Sequence, residues 1–237
     1  MFYSKKNLRI FFGDKQTAAR RDSFEKAIEN GSYETIVSLA DLKQNLALTQ
    51  IVALKQTHSV SGQVIGERDQ FFSPEIPGDF LITKRKHIGL FIYTADCLPV
   101  IFYDSRQEII AIAHAGWQGT IKNIATHTFR TLVQAYQSNP EDMQIFFGPS
   151  GKSCYYEVGS EFIKSTAHFS FQDKILTKRA GKLYFDVLEC NKQQLLELGI
   201  HHFNFDYAPC TICSARYCSY RRDKEHALRQ ITLVALV

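Results

Sequence analysis

Three runs near the middle of the chain, Ile88 to Tyr93, Leu98 to Tyr103 and Glu108 to Ala113, constrain the fold more than any other feature. The first reads as a buried strand and ends on a polar pair, Asp96-Cys97, where a strand hands over to a loop. The second and third flank Asp104-Ser105-Arg106-Gln107, whose composition is that of a hairpin turn. Such a hairpin returns His114 to the side of Cys97, so that a thiol and an imidazole face each other.

The chain has 237 residues, 45% of them hydrophobic, enough to bury a substantial core. Its net charge is only +4 and the 28 Lys and Arg are scattered, which argues against nucleic acid as a partner. No apolar run reaches the roughly 18 residues of a membrane span, and the start of the chain lacks the apolar segment of a secretory signal. The expectation is a cytoplasmic protein with no membrane partner. Six cysteines are too sparse for a disulfide framework, so each reads as core residue, metal ligand or nucleophile.

Around the central hairpin, strands and helices alternate. Arg9 to Phe12 and Ile51 to Lys55 read as strands, Thr17 to Asn30 as a helix closed by Gly31, and Thr35 to Leu48 as a second helix. The stretch from Gly62 to Gly78 reads as a surface loop leading into a strand from Phe80 to Thr83. A helix over Thr120 to Tyr136 ends at Asn139-Pro140, and Met143 to Phe147 is a strand. It runs into a glycine-rich loop, Gly148 to Glu157, that lines a pocket but lacks the spacing of a phosphate-binding P-loop. Helices over Ser160 to His168 and Val187 to Leu198, a hairpin turning at Ala180-Gly181-Lys182, and strands at His202 to Phe205 and Ile231 to Val237 complete the pattern. The fold class is α/β: residues 1–237 as one domain, with a mixed β-sheet flanked by helices.

Two strand ends besides that of Cys97 carry a histidine, His58 and His114. One thiolate and two imidazoles suit Zn2+ and leave a fourth position open, the arrangement of a catalytic site. Asp79 and Asp96 are candidate acceptors for the imidazole N–H groups, or a general base. Cys97 and His114 equally fit a cysteine nucleophile and its base, and His58 separates the two readings. Cys210-x-x-Cys213 with Cys218, completed by His201, His202 or His226, is a weaker competing metal set, and Cys190 reads as core. Arg221 and Arg222 could hold a phosphate, or form ordinary salt bridges; Trp117 and Tyr155 could stack on a flat ligand, or pack in the core.

Gln56-Thr57-His58, Thr94 to Val100, His114 to Thr120, Gly148-Pro149-Ser150 with Cys154 to Val158, and Ser219 to Asp223 together resemble, in order, the laccase-domain family. That family was first described as multicopper polyphenol oxidase, and is now described as purine nucleoside phosphorylase or peptidoglycan editing factor. The resemblance implies a domain similar to the catalytic domain of cytotoxic necrotizing factor, with zinc at His58, Cys97 and His114. It implies phosphorolysis of purine nucleosides, methylthioadenosine among them, adenosine deamination and, with Cu2+, phenol oxidation. The glycine-rich start and Asn-Leu element usual in the family are lacking, and Leu228-Arg229 replaces its Gly-Arg pair after Asp223.

On this reading the small-molecule substrates are a purine nucleoside and phosphate. Cys97, His114 and Asp96 are catalytic, and Arg221, Arg222 and Tyr155 bind substrate. The competing functions are a Cys-His hydrolase or amidase that edits peptidoglycan precursors and a copper-dependent polyphenol oxidase.

Overall fold

A strand that is apolar at every position must be covered on both faces, and the central strands are. In the computed structural model, which describes residues 1–32, 36–66 and 76–237, the strands begin with β1 (Phe2–Lys5), β2 (Leu8–Phe12), β3 (Gln50–Val52), β4 (Gly62–Ile65) and β5 (Phe80–Thr83). The fully buried β6 (Ile88–Thr94), β7 (Leu98–Asp104) and β8 (Ile109–Ala115) follow. Then come β9 (Met143–Phe147), β10 (Glu157–Val158), β11 (Leu176–Arg179), β12 (Lys182–Phe185), β13 (His202–Asn204) and β14 (Gln230–Leu236). The longer helices are α1 (Arg21–Asn30) and α2 (Val37–Asn45) and, after the short α3 (Trp117–Ile121), α4 (Ile124–Tyr136). The short α5 (Glu161–Ser165) and α6 (Gln172–Ile175) precede α7 (Val187–Leu196), and a single turn, α8 (Tyr220–Asp223), comes last.

The expected single mixed sheet is in fact two stacked sheets and a small ribbon. One has the order β1-β2-β14-β6-β3, the other β13-β9-β7-β8-β5-β4, and β10-β12-β11 forms the ribbon. Both large sheets are mixed: β3 with β6, β4 with β5 and β13 with β9 are parallel pairs among antiparallel neighbours. Because side chains alternate across a strand, Leu90 and Ile92 face Ile101, Ile110 and Ile112 in the layer between the sheets. Phe91 and Tyr93 turn the other way, against Phe24, Ile28 and Leu39 of α1 and α2. Val100, Phe102, Ala111 and Ala113 meet Ile124, Phe129 and Leu132 of α4 and Leu195 of α7. The result is helix, sheet, sheet, helix, which is why the central runs are apolar without alternation.

The β7–β8 hairpin has the expected register, with Pro99 opposite His114. Other boundaries move. Helix α1 starts at Arg21, after a separate 3-10 turn at Lys15–Thr17 capped by the Asp14 side chain; Gly31, at φ 64, closes it. Asn123, at φ 65, splits the expected Thr120–Tyr136 helix into α3 and α4. The Gly62–Gly78 stretch is not all loop, since its first residues are β4, on the edge beside β5; residues 67–75 lie outside the described residues, as does Thr35. The helix expected from Ser160 stops at Ser165.

Candidate metal centre and cavity

The site lies where the chain passes from one sheet to the other. Strand β6 belongs to the first sheet and β7 to the second, so Ala95, Asp96 and Cys97 make the crossing. His58 stands in a second crossing, between β3 and β4, and His114 is the penultimate residue of β8. So sharp a passage needs unusual backbone: His58 has φ 59 and Asp96 φ 77, in the left-handed region that costs a side-chain-bearing residue about 1 kcal/mol or more. Hydrogen bonds hold both in place.

Asp79, buried just ahead of β5, is the hub of the second crossing, between β3 and β4. Its carboxylate accepts from the backbone N–H groups of His58 at 3.0 Å and Ser59 at 2.6 Å, from the Ser59 hydroxyl at 2.7 Å, and from His114 Nδ1 at 2.8 Å. With its Nδ1 proton donated to the Asp79 carboxylate, His114 turns its Nε2 to the site. Gln56 fastens the same loop to β6, accepting from Tyr93 N at 2.9 Å and donating to Tyr93 O at 3.0 Å. His58 Nε2 stands 3.8 Å from Cys97 Sγ, and the ligand atoms of His58, Cys97 and His114 all lie within 4.8 Å of one another.

The charges match that geometry. Burial alone would push the Cys97 thiol up, but the His114 charge and hydrogen bonds from His114 and His58 outweigh it and hold the thiol at about 6. Burial likewise opposes the His114 charge, yet the Cys97 thiolate and the Asp79 hydrogen bond raise the imidazole to about 9. Asp79, also disfavoured by burial, is brought down to about 2 by its His114 hydrogen bond. In the metal-free site each of the two groups therefore favours the charged form of the other.

Asp96 is not an imidazole acceptor; Asp79 has that place. The Asp96 carboxylate takes the Thr211 hydroxyl at 2.7 Å and the Arg221 backbone N–H at 2.6 Å, while its carbonyl accepts from Gly151 N at 2.8 Å. Both oxygens being occupied, Asp96 positions the Cys97 turn and the Arg221 turn against each other. Arg221 borders a cavity of about 850 Å³ together with the three candidate ligands, its guanidinium 4.8 Å from the centre of the Tyr156 ring.

Arg222 departs from the expectation of a substrate contact. It donates to the carbonyls of Thr211, Ile212, Ser214 and Tyr217 and pairs with Asp223, which ties its donors to the 211–217 loop. Tyr155 is also displaced from its expected role: it is 62% exposed and does not border the cavity, whereas Tyr156 does. Trp117, 39% exposed as a residue, borders it with its ring packed on Phe162. Arg20 and Arg21, ahead of and at the start of α1, complete a wall that sequence reasoning missed. Their only signal was an adjacent arginine pair in a polar segment.

The C-terminal cysteines group differently from the expectation. Cys218 is buried elsewhere, its N–H bonded to Gln230, and the partner of Cys210 and Cys213 is Cys154. Cys190 is core, as expected. No helix among the described residues is long and apolar enough to cross a membrane.

A family model described as multi-copper polyphenol oxidoreductase laccase matches residues 29–237. A purine nucleoside phosphorylase of Aquifex aeolicus is 37% identical over 165 residues, 70% of this chain and 74% of that one. Adenosine deaminase RL5, from an unknown prokaryotic organism, is 30% identical over 181 residues, 73% of this chain and 66% of its own. The crystal structure of Bacillus licheniformis hypothetical protein YfiH superposes with a TM-score of 0.80 at 25% identity, covering 97% of this chain and 93% of the other.

Proposed function

The chain belongs to the family described as multi-copper polyphenol oxidoreductase laccase, and from that premise we propose that it is a zinc-dependent purine nucleoside phosphorylase that also deaminates adenosine and phosphorolyses methylthioadenosine. The names of its relatives favour the nucleoside. The observation that carries the reading is the convergence of His58, Cys97 and His114 on one cavity whose walls bring arginines and a half-exposed Trp117.

Two imidazole nitrogens and a thiolate are a donor set that Zn2+ accepts with one position to spare. Bound by His58, Cys97 and His114, zinc would supply Lewis acidity to polarise a substrate or water oxygen. The chain supplies the rest. Asp79 fixes the His114 tautomer, Asp96 joins the Cys97 turn to the Arg221 turn, and the Arg221 fork, backed by the Tyr156 face, receives phosphate. Trp117 offers its ring to the purine. Electrostatic preorganisation around the departing base, rather than a covalent intermediate, carries the rate. The same reading takes residues 1–237 as one cytoplasmic catalytic domain akin to that of cytotoxic necrotizing factor, working on small molecules and not on nucleic acid or membrane.

Copper would be accepted by the same donors, since Cu2+ outranks Zn2+ for such ligands. A three-donor site that holds one ion nevertheless cannot by itself gather the four electrons that reducing O2 to water requires. A second reading, a Cys-His hydrolase acting on peptidoglycan precursors, is favoured by one observation, the closeness of the Cys97 thiol to the His114 imidazole, which lowers the one and raises the other.

The deciding experiment is turnover of adenosine, inosine and methylthioadenosine by zinc-replete, copper-free protein with and without phosphate. Free base should appear only with phosphate, and ammonia only from adenosine. His58→Ala should lose about two orders of magnitude in turnover or more. Activity that survives both chelation and His58→Ala, yet dies on alkylation of Cys97, would establish the hydrolase instead.

A further inference from the structure

The Cys210-x-x-Cys213 pair finds its third member only in the tertiary structure. The loop after β9 runs beside the segment after β13: Ser150 and Cys210 form an isolated parallel bridge, with Ser150 N donating to Pro209 O at 3.2 Å and Thr211 N to Ser150 O at 2.9 Å. This pairing sets Cys154 Sγ 3.2 Å from Cys210 Sγ and 3.0 Å from Cys213 Sγ, with all three sulfurs within 4.8 Å and none in a disulfide. Thiolates packed this closely repel one another unless a cation lies between them.

We propose that Cys154, Cys210 and Cys213 form a second metal site, for a thiophilic closed-shell cation, Zn2+ or Cu+, separate from the centre at His58, Cys97 and His114. An all-thiolate set selects these ions over harder ones. Sulfurs around a tetrahedral zinc, each about 2.3 Å from it, stand about 3.8 Å apart, so the Cys154 sulfur needs to move from those of Cys210 and Cys213 by only about 0.6–0.8 Å. A disulfide would require one pair to close by about 1 Å and would strand the third thiol. Cys213 is exposed while Cys154 and Cys210 are half-buried, so an ion can enter from solvent and keep one outward position. Among the described residues no imidazole or carboxylate joins the group.

The site would act as a clasp. Tyr156 lies two residues beyond Cys154 and backs Arg221; Thr211 follows Cys210, and its hydroxyl holds Asp96. A cation shared by the two loops therefore ties together two parts of the cavity wall, with the cysteines as positioning residues.

The test is elemental analysis of the full chain, purified anaerobically under reductant, offered Zn2+ or Cu+ separately, and desalted. Wild type should retain about two equivalents of zinc, Cys97→Ser about one, Cys213→Ser about one, and the double variant none. Wild-type protein gives an independent reading, because iodoacetamide should modify Cys154, Cys210 and Cys213 at least ~tenfold more slowly when metal is bound, and a chelator should release all three together. The proposal is overturned if folded Cys97→Ser retains neither ion, if the three thiols react equally fast with and without metal, or if Cys154 is found in a disulfide despite the reductant.

Discussion

Adding one methyl group at Gly116 should disable the metal centre without disturbing the fold. Gly116 has ordinary extended backbone, φ −69 and ψ 166, as the residue preceding α3, so alanine is locally unstrained there. Its Cβ, however, would stand 2.6 Å from His58 Cδ2, 3.2 Å from Cys97 Sγ and 3.4 Å from His58 Nε2. Ordinary contact begins at 3.4 Å, so the imidazole would have to retreat by 3.4 − 2.6 = 0.8 Å. The His58 backbone cannot follow, because its N–H is bonded to Asp79 and its φ is already 59. The ring must turn, and metal–ligand distances tolerate only about ±0.2 Å. Gly116→Ala should therefore weaken zinc binding roughly 10–100-fold, the range for disturbed supporting contacts, or about 1.4–2.7 kcal/mol. Competition against a chromogenic chelator measures the affinity, and thermal melting of metal-free protein serves as the control. A variant that binds zinc within about twofold of wild type, its metal-free melting unchanged, would refute the placement of His58 as a ligand.

The two arginines should separate cleanly: Arg221→Ala should raise KM for phosphate about tenfold or more with the melting temperature little changed. Arg222→Ala should instead cost about 2 kcal/mol of stability, not rescued by Lys, because one ammonium cannot span four carbonyls and Asp223. Asp96→Asn presents an amide to the Thr211 hydroxyl or the Arg221 N–H, so kcat should fall while zinc stoichiometry, read by elemental analysis, is kept. In metal-free protein, the buried Asp79, lowered from 3.8 to about 2, contributes about 2 kcal/mol that is complete above its unfolded value and lost as pH falls through 2. His114, raised from 6.5 to about 9, contributes stability present below 6.5 and lost as pH rises through 9. Asp79→Asn should flatten the acid limb and reduce the alkaline one, and denaturant unfolding across pH would reveal a wild-type profile that lacks them.

Local pattern alone determined a good deal. The apolar runs of β6, β7 and β8 announced buried strands, the turn composition at Asp104–Gln107 announced their hairpin, and the hairpin register then placed His114 beside Cys97. These follow from near-neighbour chemistry, which sequence spacing encodes directly. Residues 1–237 did not reveal that β6 and β7, adjacent in sequence, lie in different sheets, because unbroken apolar strands look the same whether helices or a second sheet cover them. The division of labour between adjacent residues was equally hidden. Tyr155 and Tyr156, like Arg221 and Arg222, are alike as residue types, and only the loop's path decides which side chain reaches the cavity and which holds backbone carbonyls. Cys154 joins Cys210 and Cys213 across 56 residues and more of chain, a closure that a bridge between Ser150 and Cys210 imposes and no spacing rule encodes.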